Sequence, residues 1–567
     1  MKAPLVKSWR TGLQRLRWVH EATAVMEGRL GTARDALRLP DIRRIEFGYG
    51  TSVTGELAGT VAVVVYAFNA GGAALVAAYA ASRTLAGVVV ALVLAGVTGR
   101  LRRDRLLRWI TGARAALLAA AALLAALGDP PDAVIAAAAA SSSLAGTYRP
   151  LQAAVFPWLV RTPAELTASN AVTAVMENSG TLIGPLLAGV LLAAATPAAA
   201  IALGAGFLGV AALSLLRLTV PGTPPATGRA AVHPIRDATR GIAEFARVAP
   251  PGGSAILVFA QTFVRGALVV LIPVLAVHVL ALGESAVGWL NAAFGVGGLL
   301  GGAAAAAAVH AARLGRSFIA GLVIWGLPLV LVALAPTAAI AYLALLITGI
   351  GNAVEDTGSY TLVTRLAGPR AAGRVLGALE FIALAGLSLG AILTPALLRA
   401  FGVRGTLALL GGGLAGLALT HAARFIRLDR SMPAPGRQVG LLRSLAMFAP
   451  LPMAVTELLA AELQSRHFPA GAVVIREGEV GDRFYLIVEG SAAVSVRGTP
   501  RPSLAPGDCF GEIALLRGVP RTATITAEQP LHTLALGRAE FLTAVTGNSS
   551  SRAAGETLVA GRLAADS

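Results

Sequence analysis

The 567-residue chain is 56% hydrophobic and only 14% charged, with a mean hydropathy of +0.71, which is far more apolar material than one water-soluble core holds. Its formal charge of +17 does not mark a nucleic-acid binder: the ten Arg and twelve acidic residues of 451–567 leave that segment slightly acidic, so the whole excess lies in 1–450. The single cysteine, Cys509, excludes an intrachain disulfide and any cysteine-based metal cluster.

Residues 1–44 are polar and charged throughout and lack the apolar stretch of a signal peptide. They read as a basic cytoplasmic arm whose Lys2, Lys7, Arg10, Arg15 and Arg17 meet either anionic membrane lipid or solvent. From 45 to 425 the chain reads as runs of roughly twenty or more apolar residues, the length an α-helix needs to cross a bilayer. Twelve such spans are expected, six in 45–217 and six in 254–425, on either side of a cytoplasmic loop at 218–253 that carries Pro221, Pro224, Pro225 and Pro234 among several arginines.

Basic residues cluster in alternate loops: Arg100, Arg102, Arg103, Arg105 and Arg108, then Arg161, then Arg229 to Arg247, then Arg313 and Arg316, then Arg370 and Arg374. The loops between them, such as Asp129 to Asp132 and Pro336 to Ala339, are nearly free of Lys and Arg. This positive-inside alternation predicts a multi-pass protein of the cell inner membrane with both termini in the cytoplasm. The ionisable residues expected inside spans are Glu56, Arg83, Arg149, Glu177, Arg265, Glu355, Asp356 and Glu380. Each costs about 2.5 to 3.5 kcal/mol at a helix centre on insertion scales, so each is expected to face a polar cavity or an oppositely charged partner.

In the fourth and fifth spans, Tyr148-Arg149-Pro150 leads through Pro157, Arg161, Glu165, Asn170 and Glu177 to Gly184-Pro185 and Gly189. With the six-plus-six arrangement, this stretch resembles the exporter-type members of the major facilitator superfamily over about 42–425. The resemblance implies secondary active transport, with the first, fourth, fifth and tenth spans lining a central cavity. Glu56, Arg149, Glu177, Glu355 and Asp356 are therefore the candidates for the transport cavity, and helix-packing ion pairs are the alternative role for each. One departure stands out. Where the family shows a Gly followed four residues later by an acid in its gating loop, this chain has Gly96 and Arg100, with Asp104-Arg105 displaced downstream. The corresponding loop after the eighth span, Ala312-Arg313-Leu314-Gly315-Arg316, has no acid at all.

Residues 426–450, with Pro433, Pro435, Gly436 and Pro450, read as a linker. A soluble domain is expected at 451–547, followed by a helical tail at 548–567. Its short alternating stretches, such as Phe484 to Val488 and Ala492 to Val496, are separated by Gly478, Gly481, Gly490 and Pro506-Gly507, the pattern of a small antiparallel β-roll. Within it, Phe510-Gly511-Glu512-Ile513-Ala514-Leu515-Leu516 and Arg521-Thr522-Ala523-Thr524-Ile525 resemble the phosphate-binding cassette of cyclic-nucleotide-binding domains.

Those residue types suit a cyclic phosphate on a ribose. Gly511 permits close backbone approach, the amides of Ile513, Ala514 and Ala523 are donors for the anion, and Arg521 offers a bidentate fork to two phosphate oxygens. Glu512, an acceptor when ionised, suits the ribose 2′-hydroxyl, and Thr522 adds a hydroxyl. The other reading is a structural Glu512–Arg521 ion pair in a roll that has lost its ligand. The expected regulatory ligand is a cyclic nucleotide, cAMP in the first instance and cGMP in the second.

The chain therefore reads as an all-α polytopic membrane domain of twelve helices fused to an α+β nucleotide-binding roll. Its expected function is secondary transport, by export of a small molecule, under cyclic-nucleotide control. The alternative is a transport-inactive, membrane-anchored nucleotide sensor acting through a partner protein. No Walker-type loop, zinc-binding helix or nucleophile elbow suggests an enzyme, and no nucleic-acid partner is expected.

Overall fold

A computed structural model describes residues 39–97, 102–159, 163–218, 253–308, 314–431, 435–451 and 453–566. The basic arm up to residue 38, most of the loop 218–253, and Arg100, Arg161 and Arg313 lie outside the described residues. The chain divides into two compact units, Met1–Ser431 and Met432–Ser567.

The first unit is entirely helical among its described residues: α1 (Pro40–Val97), α2 (Arg103–Leu127), α3 (Pro131–Ser143), α4 (Tyr148–Leu159), α5 (Pro163–Ala194), α6 (Pro197–Leu215), α7 (Gly253–Val274), α8 (Ser285–Ala308), α9 (Leu314–Leu334) and α10 (Ala338–Ser431). Two of these are not single rods. In α1 the helix breaks at Gly71-Gly72, where Gly72 has φ +62°, a left-handed value that a side chain resists. A straight α10 would run to about 140 Å at ~1.5 Å per residue. It is broken at Gly402, with φ +65°, and its far end returns to pack against the start of α9 through Phe425 and Phe318, whose ring centroids are 5.3 Å apart.

Eight stretches among the described residues are long and apolar enough to cross a membrane. Two of them, Pro40–Val90 and Val375–Asp429, have 51 and 55 residues, about twice what one crossing needs. Helices approach closely where side chains are missing. A Cβ on Gly55 would sit 2.6 Å from the carbonyl oxygen of Gly204, and one on Gly204 would sit 2.8 Å from that of Gly55, which brings α1 and α6 into backbone contact. Gly189 of α5 meets the backbone of Gly288 in α8 in the same way and so joins the two halves of the unit.

The second unit begins earlier than the sequence suggests. Its elements are α11 (Pro435–Ser444), α12 (Met453–Glu462), β1 (Gln464–Phe468), β2 (Val473–Ile475), β3 (Arg483–Glu489), β4 (Ala492–Val496), β5 (Thr499–Leu504), β6 (Cys509–Phe510), α13 (Glu512–Arg517), β7 (Thr524–Ala527), β8 (Leu531–Gly537), α14 (Arg538–Thr546) and α15 (Ser549–Asp566). The strands form two four-stranded antiparallel sheets, ordered β1-β8-β3-β6 and β2-β7-β4-β5. They enclose Ile475, Tyr485, Ile487, Phe510, Ile525 and Leu531.

The supposed linker is in large part structural. Leu442, Met447, Phe448 and Leu451 are buried with Phe484, Leu486 and Phe541 in the unit's helical core. Phe448 meets the rings of Phe484 and Phe541 edge-on, with centroids 5.5 and 6.0 Å away. Such pairs add about 0.5 to 1.5 kcal/mol beyond area burial. The prolines and arginines interspersed through 426–450 masked this role, although its large apolar residues outnumber them. The chain ends in the helix α15, with Val559 buried.

Candidate functional site

The loop and short helix from Gly511 to Arg517 cross the open side of the roll. Gly511 has φ +88°, and a Cβ there would lie 2.6 Å from Nη1 of Arg521 and 2.9 Å from the carbonyl oxygen of Arg483. Only glycine gives both the turn and the space. Gly518, also left-handed at φ +67°, ends α13. The chain then returns through Arg521 to Ala523, past the same opening, into β7.

These segments wall a cavity of about 400 Å3, within the roughly 300–1,000 Å3 range of small-ligand sites. All seven residues singled out in the sequence, Gly511, Glu512, Ile513, Ala514, Arg521, Thr522 and Ala523, line it. Ile475, Val494, Phe510 and Ile525 supply apolar walls.

Glu512 and Arg521 do not pair with each other as the structural alternative requires. The buried guanidinium of Arg521 donates from Nη1 to the carbonyl of Gly511 (3.0 Å) and from Nη2 to that of Arg483 (2.8 Å), with Asp482 at 3.6 Å. Burial lowers its pKa, against the pull of Tyr485 and Asp482. The cation is thus fixed at the cavity wall before any anion arrives.

Glu512 is paired instead with Arg562 of α15, whose Nη1 donates to Oε1 at 2.7 Å. Burial pushes the Glu512 carboxyl above its ordinary value, with Arg562 working the other way. Burial alone would lower Arg562, and the Glu512 carboxylate together with Cys509 and Asp508 more than reverses this. The second oxygen, Oε2 of Glu512, is buried and has no hydrogen-bond partner. An unsatisfied buried acceptor beside a fixed cation fits a ligand that brings a hydroxyl and an anion together. Sequence reasoning missed Arg562 because it lies 50 residues away in a tail whose composition carries no site signal. Cys509, beside Glu512 and Arg562, is buried, and its thiol is pushed up to about 12, so it is unreactive packing.

In the helical unit the five cavity candidates fall into three groups. Glu56 accepts from Nη2 of Arg114 at 2.9 Å, and Arg83 lies 3.7 Å away. Arg114, fully buried in α2, also donates to Ser52 at 2.7 Å. It was absent from the sequence candidates, although a lone arginine in the run Ala113 to Leu127 was the available signal. Arg149 and Glu177 form an accessible pair at 2.9 Å. Asp356 accepts from Asn352 at 2.8 Å, and Asn352 in turn accepts from Gln261 and Trp325, both at 3.2 Å.

Glu355, next to Asp356, is only 1% exposed, and its backbone packs against Gly321. The displaced acid of the first gating loop, Asp104, is buried and bridged by Arg102 at 3.1 Å and Arg108 at 3.6 Å. A wider groove of about 760 Å3 between α2 and α6 is walled by Ala115, Ala119, Leu123, Ala202 and Gly206 and contains none of these polar groups.

Residues 254–461 match the family model of the Major Facilitator Superfamily, and residues 465–548 match that of the Cyclic nucleotide-binding domain. A major facilitator segment is thus joined in this chain to a C-terminal cyclic-nucleotide-binding domain, and eight stretches among its described residues are long and apolar enough to cross a membrane. Among curated relatives, a cyclic nucleotide-gated potassium channel of Mesorhizobium japonicum is 43% identical over 102 residues, 18% of this chain and 28% of the channel. A cAMP-dependent protein kinase regulatory subunit of Eremothecium gossypii is 48% identical over 84 residues, 15% of this chain and 18% of the subunit. The chain therefore spans less than a third of either relative. A solved structure of cAMP-bound PfPKA-R aligns at 27% identity over 21% of this chain and 43% of its own, with a TM-score of 0.19.

Proposed function

We propose that the protein is a secondary active transporter, an exporter of small molecules rather than an enzyme, whose transport is controlled by a cyclic nucleotide. The observation that carries the regulatory half is the 400 Å3 cavity, lined by both Arg521 and Glu512, with Oε2 of Glu512 left without a hydrogen-bond partner. In this reading Arg521, with the amides of Ile513, Ala514 and Ala523, holds the cyclic phosphate, Glu512 takes the ribose hydroxyl, and Thr522 adds a hydroxyl contact. Three of the curated relatives carry cAMP in their names and two carry cGMP, which supports cAMP before cGMP as the ligand.

The transport half rests on charged groups held inside apolar helices. The 51- and 55-residue stretches count as two crossings each, and α3–α4 and α8 add one apiece, which gives twelve. The alternation of basic loops puts both ends on the cytoplasmic side of the inner membrane. Glu56, Arg149, Glu177 and Asp356 are the groups assigned to the translocation path, which opens alternately by rocking of the two halves.

Purified protein in liposomes tests this reading with a panel of organic cations, anions and neutral amphiphiles, with and without cAMP. Transport of at least one class that changes on adding cAMP and falls in Glu177→Gln supports it. If no compound moves while cAMP still binds, the membrane-anchored sensor is the better account.

A further inference from the structure

The acid missing from the loop before α9 is supplied from elsewhere in the chain. Both carboxylate oxygens of Asp429 accept from the first turn of α9: Oδ1 from the amide of Gly315 at 2.7 Å and Oδ2 from that of Arg316 at 2.9 Å. These are amides that a helix start cannot satisfy internally, and an anion there also meets the positive end of the helix dipole. Asp429 stands in the last turn of α10, between Arg427 and Arg430. For its own helix that is the wrong end for an acid. Its placement is explained by α9.

The surroundings hold the contact shut. A Cβ on Gly315 would sit 2.6 Å from the carbonyl oxygen of Phe425, so the backbones of α9 and α10 touch one turn before Asp429. Phe318 and Phe425, both fully buried, meet at a tilt across the same joint. In the first half of the unit the equivalent helix start, α2, carries its own acid, Asp104, in its first turn. The second half has moved that acid to the end of its last helix.

That end is also the junction. Asp429 lies two residues before the boundary at Ser431, after which the chain enters the nucleotide-binding unit. We propose that Asp429 is a latch that clamps the cytoplasmic end of α9 to α10, and that it is the point at which the nucleotide-binding unit acts on the membrane unit. A ligand that alters the strain on this end of α10 shifts the latch between closed and open. The proposal deepens the transporter reading and rests on it for its consequence, although the latch itself is a local contact that can be measured without transport.

Hydrogen–deuterium exchange of the full chain in nanodiscs reads the amides of Gly315 and Arg316 directly. In Asp429→Ala their exchange is expected to quicken at least tenfold while the middle of α9, Leu322 to Leu329, stays protected, which shows that the helix itself survives. Asp429→Asn, with one acceptor oxygen left, falls between the two. In the parent protein cAMP changes the exchange of these two amides at least threefold, and it does so in neither Asp429→Ala nor Arg521→Ala. Unchanged protection in Asp429→Ala overturns the latch. Bound cAMP, verified by calorimetry on the same preparation, with no change in exchange overturns the coupling. Absence of cAMP binding counts against the nucleotide reading as well, whereas an intact latch response in a protein that moves no substrate counts only against the transporter reading.

Discussion

The two units handle buried charge in different ways. In the nucleotide-binding unit the charged groups converge on one cavity, and one of them is left incomplete: Arg521 is clamped by carbonyls at the wall, and Glu512 has a spare oxygen. In the membrane unit the charges are dispersed in separate clusters, most of them closed by a partner, as in Arg114–Glu56, Arg149–Glu177 and Tyr360–Glu380. A ligand's chemistry can be read where polar atoms converge and remain unsatisfied. Where they are paired off in several places, the structure names the helices that are held together but not the cargo.

Breaking the convergence has the largest expected effect. Arg562→Ala leaves the buried Glu512 carboxylate without its cation, and removal of one partner from a buried pair costs about 3 to 5 kcal/mol, less here because Arg562 is partly exposed. A drop of roughly 2 to 3 kcal/mol in the stability of the nucleotide-free C-terminal unit is expected, measured by scanning calorimetry. No loss would mean that the pair holds nothing together.

Next comes Gly511→Ala. A side chain in left-handed backbone costs about 1 to 2 kcal/mol, and this one also presses on Arg521, so cAMP affinity is expected to fall about tenfold or more, read by titration.

Glu512→Gln sharpens the comparison through pH. Because burial raises the Glu512 carboxyl above 4.5, the folded unit binds its proton more tightly than the unfolded chain does. The contribution of this group is therefore fully present below pH 4.5 and is lost as pH rises through the raised value. The melting temperature of the variant relative to the parent is accordingly expected to climb as pH rises above 4.5, and a constant difference would contradict the assignment.

The smallest effect belongs to the membrane unit. Arg83→Ala removes a partly exposed cation 3.7 Å from Glu56, and since Arg114 already satisfies that carboxylate, the loss is expected to stay within about 1 kcal/mol in a melting assay.

The sequence made the small unit almost fully legible. A Gly before Glu512 and an Arg nine residues after it are local signals, since turn chemistry and side-chain type depend on neighbours in the chain. What escaped was non-local. Arg562 reaches Glu512 from 50 residues away, Asp429 reaches Gly315 from 114, and Met447 and Phe448 enter a core through a segment whose prolines suggest a linker. In the helical unit the presence of charges was legible from hydropathy, but the choice between cavity and partner was not. Glu355 ends up closed in at 1% exposure, and Asp356 beside it takes the amide of Asn352, a partner that hydropathy does not reveal.

Calorimetric titration of the full-length protein with cAMP, beside the Arg521→Ala variant, tests the central claim most directly. Saturable heat in the parent that disappears in the variant is the predicted result. No heat in the parent, or equal heat in both, would contradict a nucleotide site built on Arg521 and Glu512.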